Sequence, residues 1–417
     1  MGQAMAVDLW RGYRRPSKGD IPKGWKVKRL REIASFAAGG RLGLTMSDFK
    51  DSGFPAYSAE GMTGFVEPIE FTGPAVIVSS IGEKCGKCFY AETEFTTLAN
   101  VQVVFPNRGE IDPYYLWNLL NDARFWPRAQ TAQPFIRPSD IKKSWIPIPG
   151  NGEQPAISEI LRLADQAIDT TQKELLAAQR LKTALMQQLL TKGIPGRHKT
   201  FKRSKWVNMP SSWGIKPLYE LADVTSGFTM GRDLSRHKTV TVPYVTVINV
   251  QDGFFNLSNI GTVQIKESEL QTGVLKPNDV LMTEGGDRDK LGRGAIWTGQ
   301  IDTCAYQNHI FRVRFRSDEY FPKVFHYLIQ CWQAKRYFFS HAKQTNNLCT
   351  INSRELKRFP IGIPDPDEQE EIVEILDRCD DGLFAITKKI ETLMLLKKSL
   401  LQNLLTGKVR VTLEAQA

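Results

Sequence analysis

PKGWKVKRLREIA at residues 22–34 returns, altered but recognisable, as PSSWGIKPLYELA at residues 210–222. With a shift of 188, Pro22 matches Pro210, Trp25 matches Trp213, Leu30 matches Leu218, Glu32 matches Glu220 and Ala34 matches Ala222. A second pair of stretches, IRPSDIKKSWIPIP at 136–149 and INSRELKRFPIGIP at 351–364, matches with a shift of 215. That shift holds without a gap through QQLLTKG at 187–193 and QNLLTGK at 402–408, so the second copy is 27 residues longer between the landmarks. An internal repeat of this size predicts a duplicated architecture with a pseudo-two-fold axis. The ends of each copy form a common frame, and the middles differ in length and content. A duplicated enzyme would more often keep its active-site middle and vary its edges, although drift alone also produces divergent middles.

Each copy ends in a long stretch, 156–191 and 367–406, free of proline. In the first, Ile157, Leu161, Ala164, Ile168, Thr171, Leu175, Ala178, Lys182, Leu185 and Leu189 alternate spacings of four and three. Adding 215 gives Ile372, Leu376, Cys379, Leu383, Ile386, Ile390, Leu393, Lys397, Leu400 and Leu404. A seam sustained over more than four heptads predicts a coiled coil. Both seams carry a lysine at the same place, Lys182 and Lys397, and a polar seam residue can fix register or orientation. The matching seams make each helix the simplest partner of the other, antiparallel, with one globular domain at each end. Two helices packing independently on their own domains is the alternative.

The middles read as short strands with turns and a helix. PAVIVSS at 74–80 and NDVLMTE at 278–284 are buried-type strands; NVQVVF at 100–105 and HIFRVRF at 309–315 alternate; helices are expected near 113–128 and 320–340. The fold class is therefore α+β, with two mixed α/β domains and two long helices. Boundaries follow from the frame: an arm at 1–20, a first domain at 21–150, a helix at 151–193, a basic linker at 194–211, a second domain at 212–364, a helix at 365–408 and a tail at 409–417. The linker, stopped by Gly193, Pro195 and Gly196, could lie along phosphates or be a solvated loop.

The 417 residues carry a net charge of +10, which fits a polyanion partner or an unspecialised basic protein. Six scattered cysteines without a secretory signal suit a reducing cytoplasm. Cys85 and Cys88 form a CxxC with no second pair and no histidine pair, which reads as two thiols rather than a zinc site. No adenine-methyltransferase motif [DNS]-P-P-[YF] occurs, nor a convincing P-D…E-x-K nuclease cluster. GEKCGK at 82–87 is one residue short of a Walker loop and lacks its Ser or Thr. The chain is not expected to be an enzyme by itself.

Taken together, PKGWKVKRLREIA, PSSWGIKPLYELA, IPIPGNGEQPAISEIL, IGIPDPDEQEEIVEIL, QQLLTKG and QNLLTGK resemble the specificity subunits of type I restriction-modification systems, over nearly the whole chain from about residue 20. The resemblance implies that each middle is a target recognition domain for one half of a bipartite, asymmetric double-stranded DNA site, and that the helices form a spacer. It implies two modification subunits using S-adenosylmethionine to methylate adenine, restriction subunits using ATP and magnesium, and a prokaryotic cytoplasmic role in defence against foreign DNA. No cofactor or metal is expected on this chain. A fusion fragment, an orphan DNA-binding repeat protein and a purely structural coiled-coil adaptor are the other classes; neighbouring genes and specific DNA binding separate them.

Sequence readout needs donors and acceptors that reach base edges and cations on phosphates. In the first domain the candidates are Arg41, Ser58, Glu60, Lys84, Lys87, Asn100, Gln102 and Arg137. In the second they are Arg232, Asn249, Gln251, Arg288, Lys290, Arg293, Gln307, Asn308, His309, Lys343 and Gln344. GGDRDKLGR at 285–293, a glycine-flanked charged loop after a strand, is the sharpest of these signals. For any one of these residues an ordinary exposed polar side chain is the competing interpretation.

Overall fold

The computed structural model describes residues 11–411 except Tyr13, Lys18, Ala123, 128–132, Asn151, Ser204, Lys205, Val207, Arg288, Asp289, Asn346 and Asn347. The chain divides into two compact units. One comprises the residues up to Lys173 and those from Lys388; the other is Glu174–Thr387. The two long helices, Glu153–Lys192 and Pro366–Leu404, are thus each divided between the units. The units cut across the boundaries drawn from sequence, because each contains one middle, the start of one helix and the end of the other.

The repeated frame motifs become hydrogen-bonded neighbours. In the first unit Lys26–Arg29, just after Trp25, pairs antiparallel with Trp145–Ile148, the strand before the first long helix. In the second Gly214–Pro217 pairs in the same way with Pro360–Ile363. Each middle is therefore closed at its root by its own two ends. The buried glutamine that opens each helix ties down a further loop. Gln154 Oε1 accepts from the Asp112 amide at 2.8 Å, and its amide donates to the Pro149 carbonyl. Gln369 Oε1 accepts from the Phe321 amide at 2.8 Å, and its amide donates to the Pro364 and Glu319 carbonyls.

Above each root stands a four-stranded antiparallel sheet. In the first unit its order is Ala34–Ala38, Val101–Pro106, Ala75–Ser79, Cys88–Ala91. In the second it is Ala222–Ser226, Ile310–Phe315, Val280–Thr283, Gly294–Ile296. The two continuous apolar runs, Ala75–Ser79 and Val280–Thr283, are buried at every position, as near-unbroken β-branched and aliphatic sequence requires of a strand covered on both faces. A second sheet flanks each of these, of four strands in the first unit and three in the second. The helix expected at 113–128 ends at Leu120. There the Asn121 amide oxygen accepts from the Cys88 backbone, and the chain turns inward to bury Phe125 and Trp126. The one expected at 320–340 is two helices, Pro322–Leu328 and Trp332–His341, broken where Cys331 takes an extended conformation.

The heptads hold. Between residues 381 and 400 every seam residue of the second helix is partly buried and every other residue is exposed. In the first unit Ile157 and Leu161 share one core with Leu404 and Leu405. In the second, Met186, Leu189 and Leu190 share a core with Ile372 and Leu376. Within each unit, then, the start of one helix meets the end of the other, antiparallel. The lysines sit on this seam: Lys182 pairs with Asp380 in the second unit and Lys397 with Asp165 in the first. These two pairs are the same pair under the 215 shift. Each aspartate also accepts from a tyrosine of its own domain, Tyr114 to Asp165 at 2.7 Å and Tyr327 to Asp380 at 2.9 Å.

Candidate nucleic-acid interface

The frame contains a polar joint, present in both units, that the sequence did not disclose. Trp25 Nε1 donates to Glu153 Oε2 and Trp213 Nε1 to Glu368 Oε2, both at 2.8 Å. Each carboxylate takes its second partner from the segment that follows the other helix. Arg410 clasps Glu153 with two bonds of 2.7 and 2.8 Å; His198 lies 2.8 Å from Glu368. Burial pushes the Glu153 carboxyl up, but the bonds from Arg410 and Trp25 outweigh it and hold it below the usual range. Gly193 and Gly407, both left-handed (φ 71° and 66°), stop the helices at this joint. A Cβ on Gly193 would meet Glu368 Oε1 at 2.5 Å, and one on Gly407 would meet Pro22 at 2.4 Å. The motif residues at each helix end are therefore there to seat a helix terminus on the partner's start. The basic linker is occupied likewise: Phe201–Arg203 pairs with Asn208–Pro210, Arg197 bonds Glu371 and Lys202 bonds the Trp213 carbonyl.

The loops opposite the root gather the candidates. In the first unit Ala38 and Val78 both lie opposite Gln102, and Ser79 lies opposite Val101, so strand ends, turns and Gln102 share one end of the sheet. Arg41 leaves this end with its guanidinium 5.4 Å from the Phe71 ring. Lys84 and Lys87 lie in the 80–87 turn, exposed, and Lys84 pairs with Glu60 from the neighbouring hairpin tip. Asn100, left-handed at φ 68°, presents an exposed side chain while its carbonyl accepts from Ser80. Arg137 joins them because the Ile136 amide donates to the Ser80 carbonyl. Ser58 is the exception in role: its hydroxyl is used within the hairpin, on Gly61 and Glu60.

In the second unit the same end of the sheet carries Glu284, His309 and Arg293. His309 Nδ1 lies 2.7 Å from Glu284, and Asn308 is beside it. Gly285–Gly286 adds a strand to Leu348–Thr350, which pairs with the fully exposed strand Lys343–Thr345. Glycine is required at 285, where a Cβ would meet Thr350 at 2.7 Å. Lys343 and Gln344 thereby reach the same rim. Lys290 is exposed and bonds Asp287. Arg288 lies outside the described residues.

Four candidates take other roles. Asn249 is corrected: it is 3% exposed, and its amide is spent on Thr246, Asn256 and Asn259. No donor or acceptor remains for a base edge. Arg232 forms a two-bond pair with Glu269, which draws that carboxyl down to about 2. Gln307 accepts from the Val247 amide at 3.0 Å, and Gln251 accepts from Arg293 at 3.2 Å, so both brace loops. Cys85 and Cys88 are buried, with thiols on the Ser80 and Leu120 carbonyls, and burial pushes the Cys88 thiol up.

The architecture matches known proteins. The model of the family described as "Type I restriction modification DNA specificity domain" matches residues 22–179 and 210–394. The chain belongs to this DNA specificity family. Among its relatives, the type I restriction enzyme MjaVIII specificity subunit of Methanocaldococcus jannaschii is 23% identical, over 94% of each chain. The EcoDI specificity subunit of Escherichia coli is 20% identical, over 96% of this chain and 91% of its own. The crystal structure of the S subunit from M. genitalium covers 94% of this chain and 98% of its own, at a TM-score of 0.56 and 14% identity, a likeness of fold. The two matched segments of the specificity family are the two repeats. As a specificity subunit the chain recognises DNA, and the family's duplicated segment accounts for its two sets of rim loops.

Proposed function

We propose that each unit reads one half of a bipartite, asymmetric DNA site, and that the chain thereby directs adenine methylation and restriction by partner subunits. One observation carries this: matching frames present different loop sets at corresponding sheet ends. Arg41, Lys84, Lys87, Asn100, Gln102 and Arg137 form one rim; His309, Asn308, Lys290, Lys343 and Gln344 form the other. Exposed lysines and arginines suit phosphates, and Asn, Gln and His suit base edges. Different rims imply different half-sites.

The chain performs no chemistry itself. Two modification subunits supply S-adenosylmethionine and methyl transfer, and restriction subunits supply ATP- and magnesium-dependent cleavage. The assembly acts in the prokaryotic cytoplasm. Methylome sequencing of a host expressing the chain with its modification subunits tests the reading. A gapped motif with two unlike halves is expected; a continuous palindrome, or no motif, would overturn it.

A further inference from the structure

The flanking sheets of the two units share the same three-strand core. In the first unit Phe54–Ser58 pairs antiparallel with Gly61–Val66 and parallel with Glu94–Thr97. In the second Thr239–Val245 pairs antiparallel with Gly261–Lys266 and parallel with Ala305–Tyr306. Two residues join the first hairpin and fifteen, 246–260, join the second. About half of the extra length of the second repeat is therefore spent on this loop, at the position that Glu60 occupies in the first.

The loop is firmly built. Asn249 accepts from the Thr246 amide at 2.8 Å and hydroxyl at 2.7 Å, and donates to the Asn256 and Asn259 carbonyls at 3.0 Å. Val250 is fully buried, and Phe255 packs edge-on against Trp297 at 5.2 Å. Yet Ile248 is 72% and Phe254 60% exposed. Single exposed apolar side chains are ordinary. The loop also lies against the helix Trp332–His341 and the residues before it: Lys335 bonds Asp252 at 2.8 Å, and a Cβ on Gly253 would meet Gln330 at 2.8 Å. Trp332, which opens that helix, is 64% exposed with the Arg336 guanidinium 5.2 Å from its ring. Arg293 comes from the end of the four-stranded sheet to meet Gln251. Arg293 bonds Gln251 and bears on Asp287, and the nearby Asp252 is neutralised by Lys335, whereas among the described residues Arg336 forms no ion pair.

We infer that the 246–260 loop is a base-contacting finger. Ile248 and Phe254 make apolar contact with bases of the half-site read by the second unit, and Arg336 and Arg293 hold the flanking phosphates. A rigid apolar tip near arginines fits a polyanion with apolar base faces and thymine methyls inside its charged backbone. The inference rests on the reading that this unit binds DNA. Asn249 serves the finger by holding its tip outward.

The test uses the full chain assembled with its modification subunits, a duplex carrying the methylated motif, and duplexes with either half scrambled. Phe254→Ala and Ile248→Ala should weaken binding to the intact site roughly ten- to hundredfold. Discrimination should be lost for one half only, with an unchanged salt slope and melting temperature. Phe254→Leu should recover much of the loss. Arg336→Ala should lower the slope of log affinity against log salt by about one. Unchanged site affinity in an intact assembly would overturn the finger, as would loss of assembly with the modification subunits, which would make the patch a protein-docking face. A wild-type complex with no preference for the motif would instead sink the DNA reading itself.

Discussion

Asn249 shows how a polar residue in a loop can be indispensable without touching a ligand. With all its hydrogen-bonding capacity satisfied inside the loop, Asn249→Ala leaves two carbonyls and an amide without partners and should cost roughly 1–3 kcal/mol of stability. Urea unfolding measures it; an unchanged midpoint with altered base preference would restore Asn249 as a contact residue. His326 offers a pH-dependent counterpart. It is buried on the helix Pro322–Leu328, near Lys182, Lys323, Asp377 and Asp380. Burial, then the Lys182 charge, pushes its imidazole down to about 4 from 6.5. Below pH 6.5 the unfolded chain takes a proton that the folded chain refuses. Stability is therefore fully present above pH 6.5 and falls as pH drops toward 4, by up to about 3 kcal/mol. In His326→Gln this part of the slope should disappear, as unfolding free energies measured between pH 4 and 7 would reveal. Neither role was legible in the sequence. Composition marks a residue as polar, but burial and the partner that answers it, such as Glu269 for Arg232 across 37 positions, depend on distant chain.

The long helices were the most legible elements, because a seam needs only spacing, and the spacing is in the chain. Every seam position from Ile157 to Leu189 and from Ile372 to Leu404 is at least partly buried. Leu185 and Leu400 pack against the cores of the second and first units respectively. Replacing either with Asp buries an unpaired charge and should destabilise its unit by several kcal/mol, visible as a lowered thermal midpoint and loss of assembly. The seam lysines were visible as exceptions, and their partners follow from the antiparallel pairing. A double-mutant cycle on Lys182→Ala and Asp380→Ala should give a coupling of roughly 1 kcal/mol, since Lys182 is 14% and Asp380 40% exposed. Lys397 and Asp165 should give a similar value; a coupling near zero in both would deny these pairs any part in register. Short elements were less legible. The helix at 113–120 stops where Asn121 is recruited by Cys88, a contact between segments 33 residues apart.

For the whole molecule, the repeat carried the reading, and the rim residues show its limit. The shared frame is repeated, so self-comparison finds it; the rims are unique, so nothing in one sequence states which bases they meet. The gap between half-sites is open to test. Residues 189–191 are buried, so lengthening the first helix there would damage a core. The seam between Lys173 and Glu174, and between Thr387 and Lys388, is where the units divide. Seven residues inserted at both places keep the heptad phase. The methylome should then show the same two half-sites with a different gap; altered half-site bases would contradict independent recognition.

The crossed joints have one more consequence. Neither repeat completes its own core: Leu404 finishes the unit that Trp25 begins, and Leu189 finishes the unit that Trp213 begins. The backbone through 194–211 is thus a tether between parts already clasped. Severing it should leave two fragments that co-purify. Arg410 bonds the Lys23 carbonyl at 2.8 Å, so the tail reaches the start of the first repeat. A gene permuted to join there and open in the tether would write the same molecule in the opposite order.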